Sequence, residues 1–179
     1  MAEIKPKYVQ MQINPTKSVK RLYLVRHAKS SWKYDLPDFD RPLKKRGFND
    51  AKLVSNHLKT FSLSPDLIIS SGANRAKTTA DIFVENLNLK SVNFIINNDV
   101  YDFSGESLLS VLKSCDKNID KLLIFGHNYA LTNIANTYGN TYIENITTSG
   151  FVEIHFNIDS WSQIKKGETK TILFPKHLK

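Results

Sequence analysis

Three short apolar runs do most to limit what this chain can fold into. RLYLV (21–25), DLIIS (66–70) and KLLIF (121–125) are each strand-sized, and each gives way at once to small or polar residues. Segments of helical period lie between and after them. Gly47, Ala51, Val54 and Leu58, with Phe48 alongside, mark one helix entered through Pro42. Ala76, Ala80, Phe83, Val84 and Leu87 mark a second over residues 74–87. Leu108, Val111, Leu112 and Cys115 mark a third, with Ser104 as its candidate cap. Residues 128–138 read as a fourth. Residues 92–96 add a strand, and residues 151–156 and 169–174 read as late strands, a hairpin across 165–168. Strands that alternate with helices need crossovers on the faces of a parallel sheet. The expectation is a single three-layer α/β/α domain. Its sheet is mainly parallel, with an antiparallel edge or late strand. Residues 1–19 hold Pro6 and Pro15 without a clean period and read as an extension, in which 8–13 could add an edge strand; residues 20–179 are the expected domain.

Composition narrows the class. Apolar residues are 41% and charged residues 23%, which excludes a chain too polar to bury a core. No apolar run approaches the roughly 20 residues of a membrane helix. The start, MAEIKPKYVQMQ, lacks the apolar stretch of a secretory signal, so the cytoplasm is expected. One cysteine, Cys115, rules out an intrachain disulfide framework and a cysteine-rich zinc site. Net charge is +8, and the excess is uneven: residues 1–60 carry 14 Lys/Arg against 5 Asp/Glu, the remainder 11 against 12. Such asymmetry points to an anionic partner, either a phosphorylated substrate or nucleic acid, or else to a solvated basic face.

The chemistry concentrates where apolar runs stop. Arg26-His27-Ala28-Lys29-Ser30 follows the first, Ser71-Gly72 and Asn74-Arg75 the second, and Gly126-His127-Asn128 the third of them. In open α/β sheets ligands collect at the carboxyl ends of strands. One histidine or arginine there is ordinarily structural. Two of each, after three strands, can converge on one pocket. Guanidinium forks bind phosphoryl oxygens through paired hydrogen bonds. A neutral imidazole is a competent nucleophile toward phosphorus, and neighbouring positive charge favours the neutral form.

LYLVRHAKSSW resembles the opening motif of the histidine phosphatase (phosphoglycerate-mutase-like) superfamily, with Ala28 in place of the usual glycine. RHAKSSW followed by Asp40-Arg41-Pro42-Leu43 and Arg46-Gly47 resembles the small SixA-type phosphohistidine phosphatase branch, as do SSGANRAKTTA and GHN. The resemblance covers residues 21–156 and implies a hydrolase with a mechanism. His27 would take the phosphoryl group, Arg26 and Arg75 would clamp it, and His127 would stabilise the charge in transfer. Arg41 would be a further phosphate contact, its alternative an ion pair with Asp38 or Asp40. Lys29 and Ser30 would stand beside the substrate, and Asn128 reads as a helix cap. The larger members use a carboxylic acid to protonate the leaving group. Asp102 and Glu106 are the nearest candidates here, with plain alternatives as a loop residue and a first-turn charge. A missing acid suits an easily departing group such as the imidazole of phosphohistidine.

The implied substrate is a phosphorylated protein or a small phosphorylated molecule, the product inorganic phosphate. No cofactor, metal or membrane is expected. A cysteine phosphatase is excluded because Lys121 stands where its loop needs arginine after Cys115. A nucleotide P-loop is absent. Nucleic-acid binding would explain the basic first third but not the histidines at the strand ends. His57, His155 and His177 are not site candidates.

Overall fold

A computed structural model of the chain describes residues 19–179; the strand expected over 8–13 lies outside the described residues. Six strands form one sheet: β1 (Val19–Arg26), β2 (Leu67–Ser70), β3 (Asn93–Ile96), β4 (Lys121–Gly126), β5 (Phe151–Asn157) and β6 (Glu168–Leu173). Their order is β3-β2-β4-β1-β5-β6. The first four are parallel, and β5 runs antiparallel to both β1 and β6. The helices are α1 (Lys45–Leu58), α2 (Asn74–Asn86), α3 (Glu106–Ser114) and α4 (Ala130–Tyr138).

Alternation along β1 assigns the two faces. Leu22 and Leu24 join Leu122, Ile124, Val152 and Ile154 under α3 and α4, while Tyr23 and Val25 join Leu123, Phe125 and Phe151 under α1 and α2. The result is the expected three-layer α/β/α arrangement. Phe83 of α2 meets Phe125 edge-on, with ring centroids 5.4 Å apart.

Several local readings shift. β1 starts before residue 21 and includes Lys20, which is fully buried. Its Nζ donates to the carbonyls of Lys117 and Ile119 and to Asp120 Oδ1, at 2.7, 3.0 and 2.9 Å, so the charge is matched where it is buried. α1 begins at Lys45 rather than at Pro42, because the chain first pairs with the loop after β1. Ser31 N donates to Pro42 O at 2.8 Å and Lys44 N to Lys29 O at 2.8 Å. The β5–β6 link is longer than a tight turn and includes a 3₁₀ turn at Trp161–Gln163. Val84 and Leu87 are only partly buried, and Thr79 takes an unpredicted place on the buried side of α2.

Gly47 fits a close approach. A Cβ there would lie 2.4 Å from Lys29 O and 3.0 Å from Lys29 N. Gly47→Ala is therefore expected to push α1 away from the loop that carries His27. A thermal melt should show a loss of about 1–3 kcal/mol, accompanied by reduced activity of the native protein.

Candidate active site

The sheet order sets β2, β4 and β1 side by side. Arg26 pairs with Gly126 and Ser70 with Phe125, so the next residues, His27, His127 and Ser71, leave the sheet together. The two imidazoles lie 5.2 Å apart between centroids. A cavity of about 510 Å³ opens over these strand ends, lined among others by Arg26, His27, Lys29, Ser30, Arg41 and Arg75. Four strand-end residues that the sequence separates by up to a hundred positions thus meet at one place.

His27 is 8% exposed. Its Nδ1 lies 2.8 Å from the carbonyl oxygen of Ala28, which fixes the proton on Nδ1 and leaves the lone pair on Nε2. Nε2 has no hydrogen-bond partner among the described residues. Thr79 holds this loop to α2: its Oγ1 accepts from Ala28 N at 2.9 Å and donates to Arg75 O at 2.6 Å. Burial, more than the neighbouring Arg75, Arg26 and Arg41, pulls the His27 pKa from 6.5 to about 3. The charge-based expectation thus named a real but smaller cause.

His127 is 1% exposed, and both ring nitrogens are engaged. Arg75 can only donate, so His127 Nδ1 accepts from it at 3.2 Å and Nε2–H donates to Ser71 Oγ at 2.9 Å. Burial first, then His27 and Arg75, lowers its pKa to about 2. His127 is thus neutral here. It stands behind Arg75 rather than on the cavity wall.

Both histidines carry a pH signature. The unfolded chain binds protons near 6.5 that the folded site refuses down to about 3 at His27 and about 2 at His127. Their contribution to stability is therefore complete above about pH 6.5 and lost as pH falls towards 3. Activity dependent on neutral His27 should stay level from about pH 8 to pH 5 rather than fall at an ordinary histidine pKa. A pH–rate profile paired with melts across the same range checks both.

The arginines are organised by a carboxylate that the motif reading treated only as an ion-pair partner. Asp38 Oδ1 accepts from Arg41 Nε and Nη2 at 2.9 and 2.7 Å. Asp38 Oδ2 accepts from Arg75 Nη2 at 2.8 Å and from the Tyr101 hydroxyl at 2.6 Å. Burial would raise the Asp38 pKa, but these donors outweigh it and hold it at about 2. Arg41 also donates to Ser30 Oγ at 2.6 Å and lies 3.6 Å over the Trp32 ring. Arg41 thus makes the ion pair with Asp38 and also lines the cavity. Arg26 donates through Nη1 to Asn145 Oδ1 and Ile146 O, at 3.0 and 2.7 Å. The Nε atoms of Arg26 and Arg75 are buried without an acceptor. Three guanidinium groups, of Arg26, Arg41 and Arg75, share the cavity wall with His27, which is the cationic lining that a seat for an anion needs.

The candidate acids do not reach this seat. Asp102 accepts from the backbone N–H groups of Ser104, Gly105 and Leu108, at 2.8, 2.8 and 3.0 Å. Burial would raise its pKa, but these bonds lower it. Asp102 shares the capping of α3 with Ser104, whose Oγ accepts from Glu106 N at 3.2 Å. Glu106 is exposed on the first turn of α3. Neither lines the cavity, whereas Asp38 does. Asn128 also lines it, and Tyr129 takes the cap position of α4. Sequence reasoning missed Thr79, Tyr101 and the wall residues Trp32, Phe103, Tyr129 and Thr148. The only local signal was the three-residue spacing of Asp38 and Arg41. His57 is exposed, and His155 pairs with Glu153 at 2.6 Å, away from the cavity.

Residues 22–105 match the model of the histidine phosphatase superfamily, branch 1. The fold is similar to that of solved members, and the chain resembles the SixA-type branch. A protein of Agrobacterium tumefaciens assigned as the phosphohistidine phosphatase SixA is 25% identical, with a TM-score of 0.66 over 75% of this chain and 90% of that one. A protein histidine phosphatase SixA solved with tungstate shares the fold at 19% identity and a TM-score of 0.72, over 89% of this chain and 99% of that one. A mycobacterial glucosyl-3-phosphoglycerate phosphatase shares it at 12% identity and a TM-score of 0.58, over 86% and 98%. An uncharacterized chloroplastic protein of Arabidopsis thaliana is 46% identical over 68 residues, which are 37% of this chain and 31% of that protein. The chain thus spans about a third of the length of that curated relative. No helix among the described residues is long and apolar enough to cross a membrane.

Proposed function

We propose that the protein is a phosphatase that passes a phosphoryl group through a covalent intermediate on His27, and that its substrate is a phosphohistidine carried by a protein. The observation that carries this reading is the free Nε2 of a neutral His27 on a cavity wall shared with Arg26, Arg41 and Arg75. In the first step the Nε2–P bond forms and the bond from phosphorus to the leaving nitrogen breaks, its electron pair staying on that nitrogen. In the second step water attacks phosphorus, the P–Nε2 bond breaks, and inorganic phosphate leaves with His27 restored. Guanidinium groups supply the positive charge that a phosphoryl transfer needs, so this scheme uses no metal. The tungstate in the SixA structure is a tetrahedral oxyanion, the shape such a seat would hold.

The substrate class follows from the carboxylates. Asp38 is the carboxylate on the cavity wall, and with a pKa of about 2 it has no proton to give near neutrality. An alkoxide leaving group needs that proton. Imidazole does not, because it departs neutral once its other ring nitrogen is protonated. The test is phosphate release, with EDTA present, from a phosphohistidine protein and from aryl and alkyl monoesters. Phosphohistidine is expected to turn over at least about tenfold faster than the alkyl ester. Faster turnover of the alkyl ester would overturn the substrate class. Loss of all activity in EDTA would overturn the metal-free scheme.

A further inference from the structure

The mouth of the cavity carries aromatic rings that the core does not use. Trp32 and Tyr129 are each 72% exposed and Phe103 is 46% exposed, yet all three line the cavity that holds His27. Two of the rings are braced from behind. Trp32 lies against the Arg41 guanidinium, and Phe103 packs on Tyr101 and His127 at centroid distances of 5.1 and 5.2 Å. The third is set by its backbone. Tyr129 has φ 58° and ψ −58°, and Ala130 N donates to Asn128 O across it at 2.8 Å. This is a three-residue γ-turn of the rare hand, strained for any residue with a Cβ. Glycine would adopt it without that strain. The tyrosine ring gains no burial in exchange, and its hydroxyl makes no hydrogen bond among the described residues. A bulky exposed ring kept in a strained turn at the edge of a reaction centre calls for a use there.

We propose that Tyr129 is a specificity-determining residue. Together with Trp32 and Phe103 it forms an aromatic collar that receives the planar ring of the leaving group while the phosphoryl group sits at His27. The inference deepens the phosphohistidine reading and rests on it for the seat of the phosphoryl group. A flat ring attached to phosphorus can stack on an aromatic face; an aliphatic chain or a saturated ring of equal size cannot. The collar therefore selects by planarity, in addition to leaving-group chemistry.

Binding tests the collar apart from turnover. Phenylphosphonate and cyclohexylphosphonate are similar in size, carry equal charge in an alkaline buffer where both are dianions, and cannot be hydrolysed at their P–C bond. Calorimetric titration is expected to show about tenfold tighter binding of the phenyl compound to the wild type. Tyr129→Gly should bring the ratio of the two affinities close to one while raising the melting temperature by a few degrees. Tyr129→Leu, which keeps bulk without a ring, should also collapse the ratio; Tyr129→Phe should preserve it. Tyr142, 81% exposed and away from this cavity, supplies the control Tyr142→Ala, which should leave the ratio unchanged. A wild-type ratio near one, a ratio that survives both Tyr129→Gly and Tyr129→Leu, or no binding of either compound overturns the collar. A clear phenyl preference alongside full activity in His27→Ala would instead overturn the phosphoenzyme reading and leave the planar-ring site standing.

Discussion

His27→Ala should abolish the covalent phosphoenzyme and lower phosphate release by at least about a thousandfold. That loss corresponds to roughly 4 kcal/mol of transition-state stabilisation. The fold should tolerate the change. The His27 side chain donates one hydrogen bond, to the Ala28 carbonyl, and borders an open cavity rather than the two apolar clusters. The melting temperature is expected to move by no more than about 4 °C. Rapid quench with a radiolabelled substrate would show an acid-labile, base-stable phosphoprotein in the wild type and none in the variant. A base-labile adduct, or turnover that persists in His27→Ala, would place the phosphoryl group elsewhere.

Arg75→Ala should do double damage. Arg75 is 1% exposed and donates to Asp38 O, to Asp38 Oδ2 at 2.8 Å and to His127 Nδ1 at 3.2 Å. Removing it strands a buried ring nitrogen and leaves Asp38 without one of its two arginines. The expected destabilisation is roughly 2–3 kcal/mol, read as a fall in melting temperature of roughly 5–10 °C. On the proposed mechanism activity should fall by about a thousandfold, because Arg75 is there one of the guanidinium groups that hold the transferring charge. Arg75→Lys separates the two effects. It keeps the charge, but one ammonium cannot reproduce the planar fork that reaches Asp38 and His127 together. Stability should recover most of the way and activity should not. The double variant His27→Ala, Arg75→Ala should lose little more activity than either single change, since both act on one transfer. Additive losses would mean that the two residues serve separate steps.

Much of the architecture was readable from the chain because its signals are local. Apolar runs of strand length, helical spacing between them, and abrupt polar stops determined the layers and marked the ends of β1, β2 and β4 as the place for chemistry. Arg26 ends β1, His27 and His127 directly follow β1 and β4, and Arg75 opens α2 shortly after β2, so these candidate positions were visible for the same reason. The two candidate acids show the limit of that reasoning. Asp102 looked free in sequence, but its carboxylate is consumed by three backbone N–H groups of the turn into α3. Asp38 looked like a loop charge, but the fold sets it between Arg41 and Arg75, which lie on different elements.

Sequence by itself determined which elements form and which side chains leave the strand ends, because backbone period and burial act over a few residues. Tertiary structure alone decided which nitrogen of His27 is free, which carboxylate meets the arginines, and which aromatic rings crown the cavity. Those outcomes depend on hydrogen-bond partners and packing contacts between segments tens of residues apart, for which no spacing along the chain is a signal.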